Sequence, residues 1–381
     1  MTARVLGLVL MLVVMAVQPA APAHAQPVTV DCEAIYDRPG HGETFYESNP
    51  TYVDRRGAFA WASASPRDVG MDETILNRGM DDLLSVPMAF SVLVVRDGKL
   101  VAERYNDNSA ADHANNVHSA SKSILSALVG IAIREGYIKS VDQKVAEFLP
   151  AYFDDGNADK AQITIAHLLT MSAGLAWRED LTEFAIQTEE DWVAAIMGRA
   201  LMDTPGSAFH YSTGLTHVLS AVLSAATGMS TCDFAHRYLF APLDITAEHW
   251  GRDPQGVYSG GYNLYLTPRE MAAFGQLYLQ GGLWKGEQVV LSGWVAESWQ
   301  PHQTEDEDYS YGYLWWLRAF GGHQVAFAWG WGGQMIFVVR DLDIVVVVTS
   351  DSGGDASALE GRNSARRAMA FLRDGVIAAV E

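Results

Sequence analysis

The chain has 381 residues, a formal net charge of −20, 49% hydrophobic residues and 19% charged ones. That length suits one large domain or two modest ones, and the composition is globular, neither disordered nor membrane-spanning. The acidic balance argues against nucleic acid and anionic membrane surfaces as partners, because both are bound through clustered Lys and Arg.

At the N-terminus Arg4 precedes a short apolar run, Val5 to Val17, and the small-x-small triplet Ala23-His24-Ala25. This pattern predicts a signal peptide over 1–25, cut after Ala25, and export to the periplasm or the medium. No cysteine stands at the cleavage site, so no stable membrane anchor is expected afterwards. The two cysteines are Cys32 and Cys232. In an exported protein they form a disulfide or remain two unrelated buried thiols, and the sequence leaves both open. Two cysteines give no cysteine-rich metal site.

Residues 26–64 lack periodicity and read as an extension on the surface. Asp72 to Leu84 reads as a helix. Ala89 to Arg96 and Lys99 to Tyr105 read as a hairpin around Asp97-Gly98. Helices follow at Ile163 to Met171, Asp191 to Met202, Leu215 to Ala226 and Thr231 to Phe240, the last stopped by Pro242. Thr267 and Pro268 cap another that runs to about Gln280. Strands return at Tyr311 to Leu317, His323 to Trp329, Met335 to Arg340 and Ile344 to Ser350, before a final helix from about Ala356 to Val376. Strands early and late with helices between predict an α+β fold. An antiparallel sheet built from both chain ends (65–110 and 255–381) is flanked by helices and carries a mainly helical insertion (111–254).

The chemistry concentrates at Ser119-Ala-Ser-Lys122, where a helix begins that is apolar on nearly every face. Residues three apart are neighbours on a helix, so Ser119 and Lys122 can meet. A desolvated lysine has a lowered pKa and can activate a serine. A serine nucleophile also needs a proton acceptor and an oxyanion hole. Tyr211 sits in the Gly/Ser-rich stretch before a helix, and a nearby ammonium is expected to lower its pKa. In Trp329-Gly-Trp-Gly-Gly-Gln334, an N–H can join that of Ser119 around a developing oxyanion. No Gly-x-Ser-x-Gly elbow occurs, and His118, beside Ser119, points away from it on a helix. Glu179, Asp180, Glu189 and Glu190 read as a solvated face.

In this order, Ser119-x-x-Lys122, Tyr211-Ser-Thr213 and Trp331-Gly-Gly333 resemble the motifs of the serine β-lactamase and penicillin-binding-protein superfamily. The likeness is to the branch with class C β-lactamases, family VIII esterases and 6-aminohexanoate-dimer hydrolases, and it runs from about Ser65 to the final helix. It implies a β-lactamase/transpeptidase-like fold and an acyl-enzyme on Ser119, with Tyr211 as general base and Lys122 keeping both reactive. It also implies an oxyanion hole from the N–H groups of Ser119 and Gln334, and substrate contacts from Thr213, Trp331, Gly332 and Gly333. No metal or cofactor is implied. Thr213 stands where β-lactamases usually carry Asn, and Trp331 where they carry Lys or His. Both departures favour a small-molecule ester or amide substrate. The alternatives are a β-lactamase or D-peptidase acting on cell-wall-type substrates, and a non-catalytic binding module.

Overall fold

Strands covered on both faces must be apolar at every position rather than alternate. The stretches 335–339 and 344–348 meet that condition, and every residue of their strands, Gln334–Val339 and Ile344–Ser350, is buried. The computed structural model describes Cys32 and residues 52–54, 59–85, 88–153, 156–352 and 358–380. The predicted signal peptide and much of the 26–64 extension lie outside the described residues.

Those two strands occupy the middle of an eight-stranded sheet. Its order is Lys99–Tyr105, Ala89–Arg96, Ile344–Ser350, Gln334–Val339, His323–Gly330, Trp316–Phe320, Ser310–Tyr311 and Gln303–Thr304. Every neighbouring pair is antiparallel. Helix Pro268–Leu279 packs on its central strands. That helix starts with a reciprocal cap: the Thr267 hydroxyl accepts from the Glu270 N–H at 3.2 Å, and the Glu270 carboxylate accepts from the Thr267 N–H at 2.8 Å. Helices Glu73–Leu84 and Ala358–Ala370 also pack on the sheet. The sheet from both chain ends and the helical insertion are therefore as the sequence predicts.

Two local expectations fail. The predicted strand Tyr311 to Leu317 is broken into Ser310–Tyr311 and Trp316–Phe320. Between them Leu314 adopts a φ of 59°, and its carbonyl accepts from the Ser123 hydroxyl at 2.7 Å. Pro242 does not stop its helix. A π-helical turn, His236–Phe240, leads into Ala241–Leu243, and the chain leaves the helix at Asp244.

A second, four-stranded sheet was not predicted. It joins Tyr52–Val53, His113–Asn116, Leu264–Leu266 and His249–Trp250. Strands of two to four residues give too little pattern to read, yet this sheet stitches the ends of the helical insertion together. Cys32 and Cys232 form a disulfide, with Cα atoms 6.1 Å apart across 200 residues, which resolves the alternative left open. Among the described residues, no single helix is long and apolar enough to cross a membrane.

Candidate active site

Helix Ser121–Arg134 is buried continuously from Ser121 to Ala132, as an all-round apolar sequence requires. Ser119 lies just before it, in a 3-10 turn formed by His118–Ala120 rather than in the α-helix expected there. In a 3-10 turn residues three apart eclipse, so the pairing survives the change. The Lys122 ammonium is 2.7 Å from the Ser119 hydroxyl. Lys122 is 1% exposed, whereas Ser119 remains half-exposed to the cleft.

The residue before the serine carries the strain. His118 holds a φ of 46°, an uncommon conformation for a residue with a Cβ. Its N–H donates to the Asn116 side chain at 2.9 Å and its ring nitrogen meets the Ser352 hydroxyl at 2.7 Å. Burial, and then the Lys122 charge, push its pKa down to about 3, so the ring is neutral. His118 thus pins the turn that presents Ser119.

Lys122 is surrounded by oxygen. Besides Ser119, its ammonium donates to the Thr213 hydroxyl at 2.9 Å and to the Gly261 carbonyl at 3.1 Å. Gly261 has to be glycine here: a Cβ would lie 2.7 Å from the Thr213 methyl and 2.9 Å from the Lys122 nitrogen. Burial pushes the lysine down to about 8, while the charges of Glu179 and Glu183 oppose that fall. Glu183 is itself buried beside the Tyr262 hydroxyl, and burial followed by the Glu179 charge raises it to about 7.

Tyr211 joins Ser119 and Lys122, with two differences from expectation. Its hydroxyl faces Ser119, and the Lys122 nitrogen lies 5.2 Å from its ring centre. Its pKa is raised, not lowered, because burial and then the Glu179 charge outweigh the hydrogen bond with Ser119. Its ring stacks on Trp316 at 5.8 Å and meets Tyr311 edge-on at 6.4 Å. Trp316 in turn contacts Trp329 at 5.6 Å, which makes an aromatic wall.

The fourth element is the junction of strands His323–Gly330 and Gln334–Val339, which packs on the His118–Ala120 turn. A Cβ on Gly330 would lie 2.2 Å from the Val117 carbonyl, so this strand end touches the chain just before the serine. Gln334 pairs with Gly330, and its side chain is locked by the Ser350 carbonyl at 2.5 Å and the Ser350 N–H at 3.2 Å. Its backbone is thereby brought to the serine end of the sheet.

With this geometry in place, the Beta-lactamase family model matches residues 80–370. The chain belongs to the beta-lactamase family. A 6-aminohexanoate-dimer hydrolase of Paenarthrobacter ureafaciens is 28% identical over 231 residues, which spans 53% of this chain and only 55% of that relative. Two solved structures share the beta-lactamase-family fold. The D-stereospecific amidohydrolase from Streptomyces sp. has a TM-score of 0.58 at 15% identity and covers 77% of this chain and 98% of its own. EstCE1, a hydrolase with promiscuous acyltransferase activity, has a TM-score of 0.58 at 18% identity, with coverage of 77% and 97%.

Within this beta-lactamase-family site some predicted residues take other places. Thr213, expected at the substrate, is 1% exposed and uses its hydroxyl on Lys122 and on the Glu179 carboxylate. Gly332 and Gly333 are buried: a Cβ on the first would meet Ser352, and on the second Ser364 of the C-terminal helix. The half-buried Trp331 lies beside Gly361 of that helix, and among the described residues Trp316 and Tyr311 are the rings packed on Tyr211. Glu179, Glu183, Gly261 and His118 belong to the site and were not foreseen. Only the four-residue interval to Glu183 on one helix face hinted at a paired carboxylate.

Proposed function

We propose that this chain is an exported serine hydrolase that cleaves an ester or amide through an acyl-enzyme on Ser119. The observation that carries this reading is the buried lysine, lowered to about 8, in hydrogen-bond contact with a half-exposed serine. Neutral Lys122 takes the Ser119 proton as the oxygen attacks the carbonyl carbon. The resulting oxyanion is held by the N–H groups of Ser119 and Gln334. The leaving alcohol or amine takes a proton through the Tyr211 hydroxyl, which is replenished from the Lys122 ammonium. Tyr211 thus acts as a neutral relay, in keeping with its raised pKa. Water then attacks the acyl-enzyme by the same proton path and releases the acid.

The aromatic wall of Tyr211, Trp316 and Trp329 favours an uncharged acyl or alkyl group next to the scissile bond. The hydrolase named in the Paenarthrobacter relative and the amidohydrolase of the Streptomyces structure support an amide-cleaving variant of the same chemistry. The disulfide supports export, since such bonds persist in oxidising compartments.

The test is fluorophosphonate labelling together with a hydrolysis panel of short p-nitrophenyl esters, linear amides, D-alanyl peptides and a chromogenic cephalosporin. Wild type is expected to label at Ser119 and to turn over esters or linear amides fastest. Full activity in Ser119→Ala would overturn the nucleophile. Cephalosporin turnover ahead of every ester and amide would replace the substrate class with a β-lactam.

A further inference from the structure

Resting on the serine-hydrolase reading, we propose that Glu179 is a positioning residue that acts through Thr213 to fix the direction in which the Lys122 amine points. A carboxylate can only accept, and a threonine hydroxyl has one hydrogen to give. Thr213 gives that hydrogen to Glu179, so toward Lys122, 2.9 Å away, its oxygen can only accept. The Gly261 carbonyl, 3.1 Å away, is an acceptor by nature. An ammonium has three hydrogens, and the third faces Ser119 at 2.7 Å. When Lys122 loses a proton, its two remaining hydrogens stay on Thr213 and Gly261. The lone pair is left facing the Ser119 hydroxyl, where a base has to present it.

Glu179 is built in to hold this polarity. It also accepts from the Thr213 N–H at 2.9 Å and the Trp177 indole N–H at 2.6 Å. It thereby satisfies an open N–H in the first turn of helix Thr213–Thr227, where a negative charge is favoured. Without the carboxylate, the Thr213 hydrogen is free to turn toward Lys122 and capture the lone pair. A one-hydrogen hydroxyl set by a carboxylate accounts for threonine at a position where the resemblance led us to expect asparagine. In the addition step the Ser119 hydrogen moves to Lys122, the serine oxygen bonds to the carbonyl carbon, and the carbonyl π pair becomes the oxyanion. In the collapse that pair re-forms the carbonyl, the bond to the leaving oxygen or nitrogen breaks, and the leaving group takes its proton through Tyr211.

The ionisable groups around Lys122 are Glu179, Glu183, Tyr211 and His118, of which Glu179 is the one hydrogen-bonded to Thr213. The experiment follows the fluorophosphonate labelling rate and p-nitrophenyl acetate hydrolysis against pH in Glu179→Gln, Thr213→Val and Thr213→Ser. Thr213→Val and Glu179→Gln are expected to lower the high-pH plateau about a hundredfold, the scale of a misaligned base. Thr213→Ser, which keeps the hydroxyl, restores it to within about threefold of wild type. Glu179→Gln also moves the acid limb down by roughly one pH unit, because a charge that favours the ammonium is gone. A plateau within about threefold of wild type in both Thr213→Val and Glu179→Gln overturns the proposal. If Glu179→Gln fails to fold, Thr213→Val against Thr213→Ser decides alone. Ser119→Ala, run in parallel, separates the two readings: full activity there removes the nucleophile, whereas an inactive Ser119→Ala beside an unaffected Thr213→Val removes only the positioning role.

Discussion

Two interiors of this molecule are equally dry and chemically opposite. The middle of the sheet, at 335–339 and 344–348, buries only hydrocarbon side chains. The pocket behind Ser119 instead buries Lys122, Glu183, Thr213 and His118. In the first, removal from water stabilises the fold at roughly 25 cal/mol per Å² of apolar surface. In the second, removal from water costs stability, and only a set of matched donors and acceptors makes that cost bearable. Burial that holds the sheet together is, behind the serine, what brings a lysine near neutrality.

Substitutions tell the two interiors apart. Lys122→Met gives the largest effect: ester hydrolysis falls by at least about a thousandfold, as loss of a catalytic base requires, while Tm holds or rises. A drop in Tm as large as that of a sheet mutant would show that the pocket supports the fold after all. Ile336→Ala does the reverse. It costs about 2–5 kcal/mol in chemical denaturation, yet the folded fraction keeps kcat/KM within a few-fold. The next effect is read in pH. Neutral Lys122 is the reactive form, so the labelling rate rises about tenfold per unit on the acid side and levels off above about 8. A rate flat from pH 6 to 9 would disconnect the lysine from the serine. The smallest effect is that of Glu183→Gln. Its charge favours the ammonium, so losing it moves the same limb down, by less than the Glu179→Gln shift because Glu183 makes no hydrogen bond to the lysine's acceptors.

The same contrast governs what could be read in the sequence. The hairpin Ala89–Arg96 to Lys99–Tyr105 and the strand Ile344–Ser350 were legible because apolar runs and turn residues are local signals. Ser119 and Lys122 were legible for the same reason, being three residues apart. Trp316–Phe320 was misjudged because the break at Leu314 is set by Ser123, on a distant helix. Glu179 read as solvated because nothing near it shows that Thr213, 34 residues on, would bring an N–H and a hydroxyl to it. The structure brings Tyr211 to Ser119 and Lys122, with a pKa shifted in the direction opposite to the expected one. The resemblance supplies a lysine near it, whereas the burial and the Glu179 charge that dominate come from packing.

The Cys32–Cys232 bond joins positions 200 residues apart, and Ser119, Lys122, Glu179, Tyr211 and Thr213 all lie on the chain between them. Any single peptide cut within that stretch therefore leaves one covalent molecule. On a gel, a nicked protein runs as one species until a reductant is added, and a cut between Ser119 and Tyr211 separates the pieces that carry them only then.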